Sequence, residues 1–169
     1  MQKAVFITAP EIFRDEEYIK PKKILEDAGI QVDTASIKTG ELTGKFGFKA
    51  ESTMLLESVK ASEYDAIVYI GGAGASVFFE DPNALKLANE FFQDGKTTSA
   101  ICIAPTILAN AGILKGKKAT VFPDGKDALI KGGAEYTDNP LEIDGNIITA
   151  NGPEAAEVFA SAVLLAIRK

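Results

Sequence analysis

Apolar positions along the chain fall into short continuous runs, separated by stretches in which they recur every three or four residues. The first pattern is that of buried strands and the second that of amphipathic helices. Ala4 to Thr8 predicts a buried strand that Pro10 stops. Over Asp15 to Ala28, Tyr18, Ile19, Ile24, Leu25 and Ala28 recur at helical spacing, and Gly29 supplies the stop. Ile30 to Ile37 alternates as a second strand. Thr39 to Ala50 sets Gly40, Gly44 and Gly47 between β-prone pairs, which predicts a small hairpin or excursion off the main sheet. Met54 to Val59 reads as a helical turn. Tyr64 to Ile70 is another buried strand, running straight into Gly71-Gly72-Ala73-Gly74-Ala75. Pro82 and Asn83 open a helix through Phe92 that Gly95 closes.

Thr97 to Ile101 is small and β-branched enough for a short buried strand, and Ala104 to Ala111 is a helix ending on Gly112. Lys118 to Phe122 follows as a strand and Asp124 to Lys131 as a short helix stopped by Gly132-Gly133. Leu141 to Ile143 and Asn146 to Ala150 pair as a hairpin turned by Asp144-Gly145, and Glu154 to Ile167 is the last helix. Strands alternating with helices imply an α/β fold, a mostly parallel sheet covered on both faces by right-handed crossovers. With no repeat and no linker, residues 1–169 read as a single domain. In such sheets ligands bind outside the carboxyl ends of the strands. Three stretches end strands there: the loop leading to Glu16 and Glu17, the Gly71-Gly72 turn, and Cys102.

Composition narrows the chemistry. The 169 residues suffice to bury about two thirds of the unfolded surface, so no cofactor or staple is needed for folding. The formal charge is −6 and the 18 Lys and Arg are scattered, which disfavours a nucleic-acid surface. The apolar run at the N-terminus is only about six residues long, too short for a signal peptide or a membrane span. That predicts a cytoplasmic protein with no membrane partner. A single cysteine cannot close an internal disulfide. There is no histidine, which removes every Cys-His and Ser-His-Asp scheme and leaves zinc without a suitable ligand cluster. No metal is expected.

Cys102 is that single cysteine, and it stands where a strand turns into a helix. The helix N-terminus favours a thiolate below the free value of roughly 8.5, while apolar neighbours oppose it. A free cysteine is also among the most buried residue types, so a packing role stays open. Gly71 and Gly72 make either a tight turn or a close backbone approach, in which the Gly72 and Ile103 N–H groups face an oxyanion beside Cys102. Asp15, Glu16 and Glu17 read as the acidic first turn of a helix. A carboxylate turned from that run into the site could instead move a proton without histidine. Phe13, Phe46, Phe48, Phe78 and Phe79 read as core or interface residues.

Taken together, FRDEEYIKP (13–21), YIGGAG (69–74), SAICIAPTILANAGILKGKKAT (99–120), FPDGKD (122–127) and NGP (151–153) resemble the ThiJ/PfpI family. This is the parkinsonism-associated protein deglycase superfamily, with a class I glutamine-amidotransferase-like fold. The resemblance spans essentially the whole chain. It implies a flavodoxin-like three-layer α/β sandwich, a homodimer or larger assembly, a reactive Cys102 and Glu17 as the site glutamate. Members include protease-like, chaperone-like, glyoxalase, deglycase and redox-sensing proteins, and fold does not choose among them. Three positions depart from the pattern. Ile103 stands where the protease-like branch has histidine, Ser76 near its acidic partner, and Phe122 where the deglycase branch has histidine before Pro123. The reading favoured here is a cysteine-dependent enzyme of small carbonyl electrophiles, with Cys102 as nucleophile, Glu17 as proton carrier, and Gly71, Gly72 and Ile103 as the oxyanion and substrate site. The alternative is a non-catalytic sensor or chaperone-like protein that uses oxidation of Cys102.

Overall fold

The computed structural model describes residues 1–169. Its strands and helices, in chain order, are β1 (Lys3–Ile7), β2 (Glu11–Phe13), α1 (Asp15–Asp27), β3 (Gln31–Ser36), β4 (Gly40–Gly44), β5 (Lys49–Ser52), β6 (Met54–Leu55) and β7 (Ala66–Tyr69). They continue as α2 (Pro82–Gln93), β8 (Thr97–Ile101), α3 (Pro105–Asn110), β9 (Lys118–Ala119), α4 (Lys126–Lys131), β10 (Glu135–Tyr136), β11 (Leu141–Asp144), β12 (Ile147–Ala150) and α5 (Ala156–Arg168). Seven strands form the main sheet in the order β11-β12-β8-β7-β1-β3-β6. Every pair is parallel except β11 with β12, the hairpin read at Asp144-Gly145. Helices α1 and α5 pack together, and α2 packs on β7, β8 and α3, so the sheet lies between two helical layers. This is the flavodoxin-like α/β sandwich, and no helix is long and apolar enough to cross a membrane.

The central strands are buried along their whole length, which is why they read as runs rather than as alternations. β8 is the exception in composition, because Thr97, Thr98 and Ser99 are buried polar residues. Two of these hydroxyls are satisfied locally: Ser99 Oγ donates to the Ile67 carbonyl at 2.8 Å and Thr98 Oγ1 to the Lys96 carbonyl at 3.0 Å. A small polar strand can therefore occupy the middle of the sheet without orphaned donors. Helix α2 begins as its sequence signals. Asp81 accepts from the Asn83 and Ala84 N–H groups at 2.9 and 3.0 Å, with Pro82 in the first turn, a cap worth about 1 kcal/mol.

Three expectations need correction. Met54 and Leu55 extend the sheet edge beside β3, and only Leu56–Ser58 form a helical turn. Lys118 to Phe122 is not a strand of the main sheet: two residues pair with β10, and Phe122 has already turned toward Cys102, donating its N–H to the Cys102 carbonyl at 2.6 Å. The excursion at Thr39 to Ala50 is a hairpin off the main sheet as expected, and a third strand, β2, joins it where a loop is predicted. β2, β4 and β5 make a separate three-stranded sheet, and β2 is only three residues long with a register shift, too short to show a period.

Candidate active site

The central parallel strands end on one edge, and the three stretches expected there do converge. Ile12, Arg14, Lys45, Gly72, Ala73, Ser76, Phe79, Cys102, Ile103, Phe122, Asp124, Pro153 and Glu154 line one cavity of about 410 Å³. A larger hollow of about 640 Å³ around Glu57, Lys60, Lys86 and Glu90 lies away from Cys102.

Cys102 follows β8 directly and is held on both sides, its N–H donating to the Ala150 carbonyl at 2.9 Å and its carbonyl accepting from Phe122. Its φ is +66°, a left-handed conformation that costs a residue with a Cβ about 1 kcal/mol or more. Those two bonds hold the turn against that preference, and the thiol stands over the sheet edge, 8% exposed. The Gly72 and Ile103 N–H groups lie close enough to the sulfur to favour its charged form.

Glu17 comes from the first turn of α1, and its side chain is fully buried against Cys102. Neither carboxyl oxygen has a well-directed partner, although the Cys102 thiol and the Gly71 N–H bias the proton there. Burial pushes Glu17 up to about 8, against the smaller opposing pulls of Cys102, Arg14 and Gly71. Burial, and then the Glu17 charge, push Cys102 up to about 12, with the Gly72 and Ile103 N–H groups pulling the other way. Of the two opposing effects expected at Cys102, the helix end and the apolar surroundings, desolvation outweighs the amides. Near neutral pH both members of the pair carry their protons.

Gly71 explains how the pair fits. A Cβ on it would lie 2.5 Å from Cys102 Cβ and 2.6 Å from Glu17 Oε1, so a side chain there would drive the carboxyl and the thiol apart. Its N–H also favours the charged form of Glu17. Gly72 has φ +101°, and a Cβ on it would strike the Arg14 N. The close approach anticipated at this turn is thus to the chain leading into α1, which Arg14 fastens by donating its N–H to the Gly71 carbonyl at 3.0 Å. Ser76 and Phe122 both face the cavity. Phe13 and Phe78 are core residues as expected, but Phe79 lines the cavity and Phe46 is 64% exposed at its rim. Ile12, Arg14, Lys45 and Glu154 were not singled out. Lys45 and Glu154 carried no periodic signal, Ile12 lies within the short β2, and Arg14 stands between β2 and α1. No group of three or more Cys, Asp or Glu side chains stands together as a metal site would require.

A family model described as DJ-1/PfpI matches residues 2–166. The chain belongs to the DJ-1/PfpI family. A deglycase of Pyrococcus horikoshii is 35% identical over 158 residues, covering 94% of this chain and 93% of its own. The deglycase PfpI of Pyrococcus furiosus is 34% identical over 151 residues, covering 89% and 90%. Among solved structures, a ThiJ/PfpI domain protein of Brachyspira murdochii superposes with a TM-score of 0.96 at 32% identity, covering 98% of this chain and 96% of its own. The resemblance read from five segments is thereby established, together with the fold that it implied.

Two outcomes test the protonation of the pair. Between pH 4.5 and about 8 the folded protein holds a proton on Glu17 that the unfolded chain has released, so this group's contribution to stability falls as pH rises through that window. Glu17→Gln should therefore gain on the wild type by ~2 kcal/mol or more between pH 5 and 8, measured by urea unfolding; a constant difference would place the carboxyl in water. At pH 7 iodoacetamide should label Cys102 more slowly than it labels the same chain in urea. The opposite order would restore the thiolate.

Proposed function

We propose that the protein is a cysteine-dependent enzyme of small carbonyl electrophiles, of the glyoxalase or deglycase kind, with Cys102 as nucleophile. The observation that carries this reading is the buried Glu17 carboxyl against the thiol, at the foot of an open cavity. In the absence of histidine it is the group placed to move the thiol proton. When the pair has lost one proton, the Glu17 carboxylate takes the thiol proton as sulfur attacks. The S–C bond forms while the carbonyl π pair moves onto oxygen. The oxyanion meets the Gly72 and Ile103 N–H groups and receives the proton from Glu17, giving a thiohemiacetal with no change in oxidation state. Relatives that bear the name deglycase support the class of reaction. A peroxide sensor needs thiolate at rest, and the upward shift of Cys102 disfavours that alternative.

For methylglyoxal or glyoxal, kcat/KM should rise between pH 6 and 9 with an apparent value near 8 that belongs to the pair. It should vanish in Cys102→Ser. Glu17→Gln should lose on the order of a hundredfold and flatten the profile. Turnover indifferent to both substitutions would remove the reading. Peptide hydrolysis should be absent, because the Glu17 proton goes to the carbonyl oxygen and Ile103 stands where a histidine would protonate the leaving amine. Casein cleavage lost in Cys102→Ala would contradict this.

A further inference from the structure

Three acidic residues in succession, Asp15, Glu16 and Glu17, do three different things, and only Glu17 is used by the chemistry above. Asp15 is buried, and its two carboxylate oxygens accept the Phe46 and Phe48 N–H groups, each at 2.9 Å. The loop between β4 and β5 is tied further by the Lys45 N–H to the Phe13 carbonyl at 2.9 Å and the Gly44 N–H to the Phe48 carbonyl at 2.8 Å. Gly44 lets Asp15 come this close, since a Cβ there would lie 2.6 Å from the carboxyl carbon. So fastened, the loop carries Lys45 to the cavity and sets the Phe46 ring between two cations, Arg14 at 5.0 Å and Lys45 at 5.5 Å from its centroid.

Glu16 accepts from Arg14 Nε at 2.5 Å. The guanidinium is therefore fixed along one edge by Glu16 and over one face by Phe46, while its two Nη groups have no protein partner. Lys45 takes part in none of the ion pairs of the protein. A fork held in this way keeps its free donors ready for a planar anion, with little side-chain freedom left to lose. Arg14 lies near enough to feel the charges of both Glu17 and Cys102. The remaining charges of the cavity, Asp124 and Glu154, follow β9 and β12. Sheet order puts β12 on the opposite side of β8 from β7 and β1, whose ends carry Gly72 and the Arg14 loop. The cations and carboxylates are thus separated across Cys102, with Ile12, Ile103, Phe79 and Phe122 supplying apolar wall between them.

We propose that Arg14 and Lys45 form an anion subsite, so that the electrophile presented to Cys102 is a small carbonyl compound carrying a carboxylate beside the reacting carbon, an α-oxo acid or aldehyde acid. The substrate class rests on the reading of Cys102 as nucleophile, while the subsite itself does not. Glu16 and Phe46 act as positioning residues for the Arg14 fork, and Asp15 for the loop that holds them. The Asp124 and Glu154 side repels the anionic end, so the carboxylate has one orientation in the cavity.

The test compares two alkylating reagents of nearly equal size, iodoacetate and iodoacetamide, at pH 7, where Glu17 is protonated. In both reactions sulfur displaces iodide and the thiol proton leaves to solvent. The quantity read is the ratio of their rates at Cys102, by intact mass, against the same ratio for the urea-unfolded chain. A general loss of thiol reactivity cancels in this ratio. The native protein should favour iodoacetate about tenfold over that baseline, with rates that saturate in iodoacetate. Arg14→Met and Lys45→Met should each lower the ratio severalfold, Glu16→Gln should lower it partway, and Arg14→Lys should retain part of it. A native ratio at the unfolded baseline overturns the proposal, and so does a ratio unmoved by both Arg14→Met and Lys45→Met. If the ratio behaves as expected while Cys102-dependent turnover of both glyoxylate and methylglyoxal is absent, the subsite stands and the catalytic reading falls. Turnover with a baseline ratio gives the reverse.

Discussion

Everything at this sheet edge depends on fitting an uncharged carboxyl against a thiol with no room between them. Gly71 is the condition for that fit, because any side chain there would meet both groups at once. The fit in turn sets the electrostatics. Withdrawn from water, Glu17 keeps its proton well above the ordinary carboxyl range, and a thiol beside it has two reasons to stay neutral, its own burial and the negative charge it would otherwise face. The pair behaves as one titrating unit. Its first proton decides whether the sulfur has a base within reach.

Rigidity around the pair comes from backbone bonds that cross between elements. Cys102 is pinned to the ends of β12 and of the segment after β9, and the chain before α1 is pinned to the Gly71 carbonyl. These bonds explain how a left-handed φ persists at Cys102, a residue with a Cβ. The Arg14 bond ties the chain leading into α1 to Gly71, the residue that packs against both Glu17 and Cys102.

The sequence carried the main sheet because its strands are buried on both faces, and continuous apolar runs such as Ala4 to Thr8 and Tyr64 to Ile70 have few other readings. The elbow at Cys102 was readable for a local reason, a strand and a helix meeting at one cysteine. Elements of two or three residues were not, since β2, β6 and β9 are too short for any period and are made by their partners. Glu17 could be placed at the site by family resemblance, whereas residue by residue it is one of three equivalent acids. What separates them is the direction each takes around the first turn of α1, which pattern does not encode. The protonation of Cys102 stays open in the sequence for a related reason. The helix end is visible in sequence, but the depth of the pocket that outweighs it is a property of the packed site.

The order of strands has a chemical consequence of its own. Cys102 follows a strand inside the sheet, so the loops on its two flanks come from β7 and β1 on one side and β12 on the other, chain segments far apart in sequence. Each flank could therefore acquire its own charge, and here the first carries Arg14 and Lys45 and the second Glu154, with Asp124 contributed after β9. The pocket's net charge is small, yet its field has a direction, which is what orients a small polar molecule at a nucleophile. Orientation at the reacting carbon is worth far more to a rate than added affinity. In the proposed mechanism, with one buried carboxyl as the proton carrier, a fixed approach would bring the carbonyl oxygen to the Gly72 and Ile103 amides within reach of the Glu17 proton.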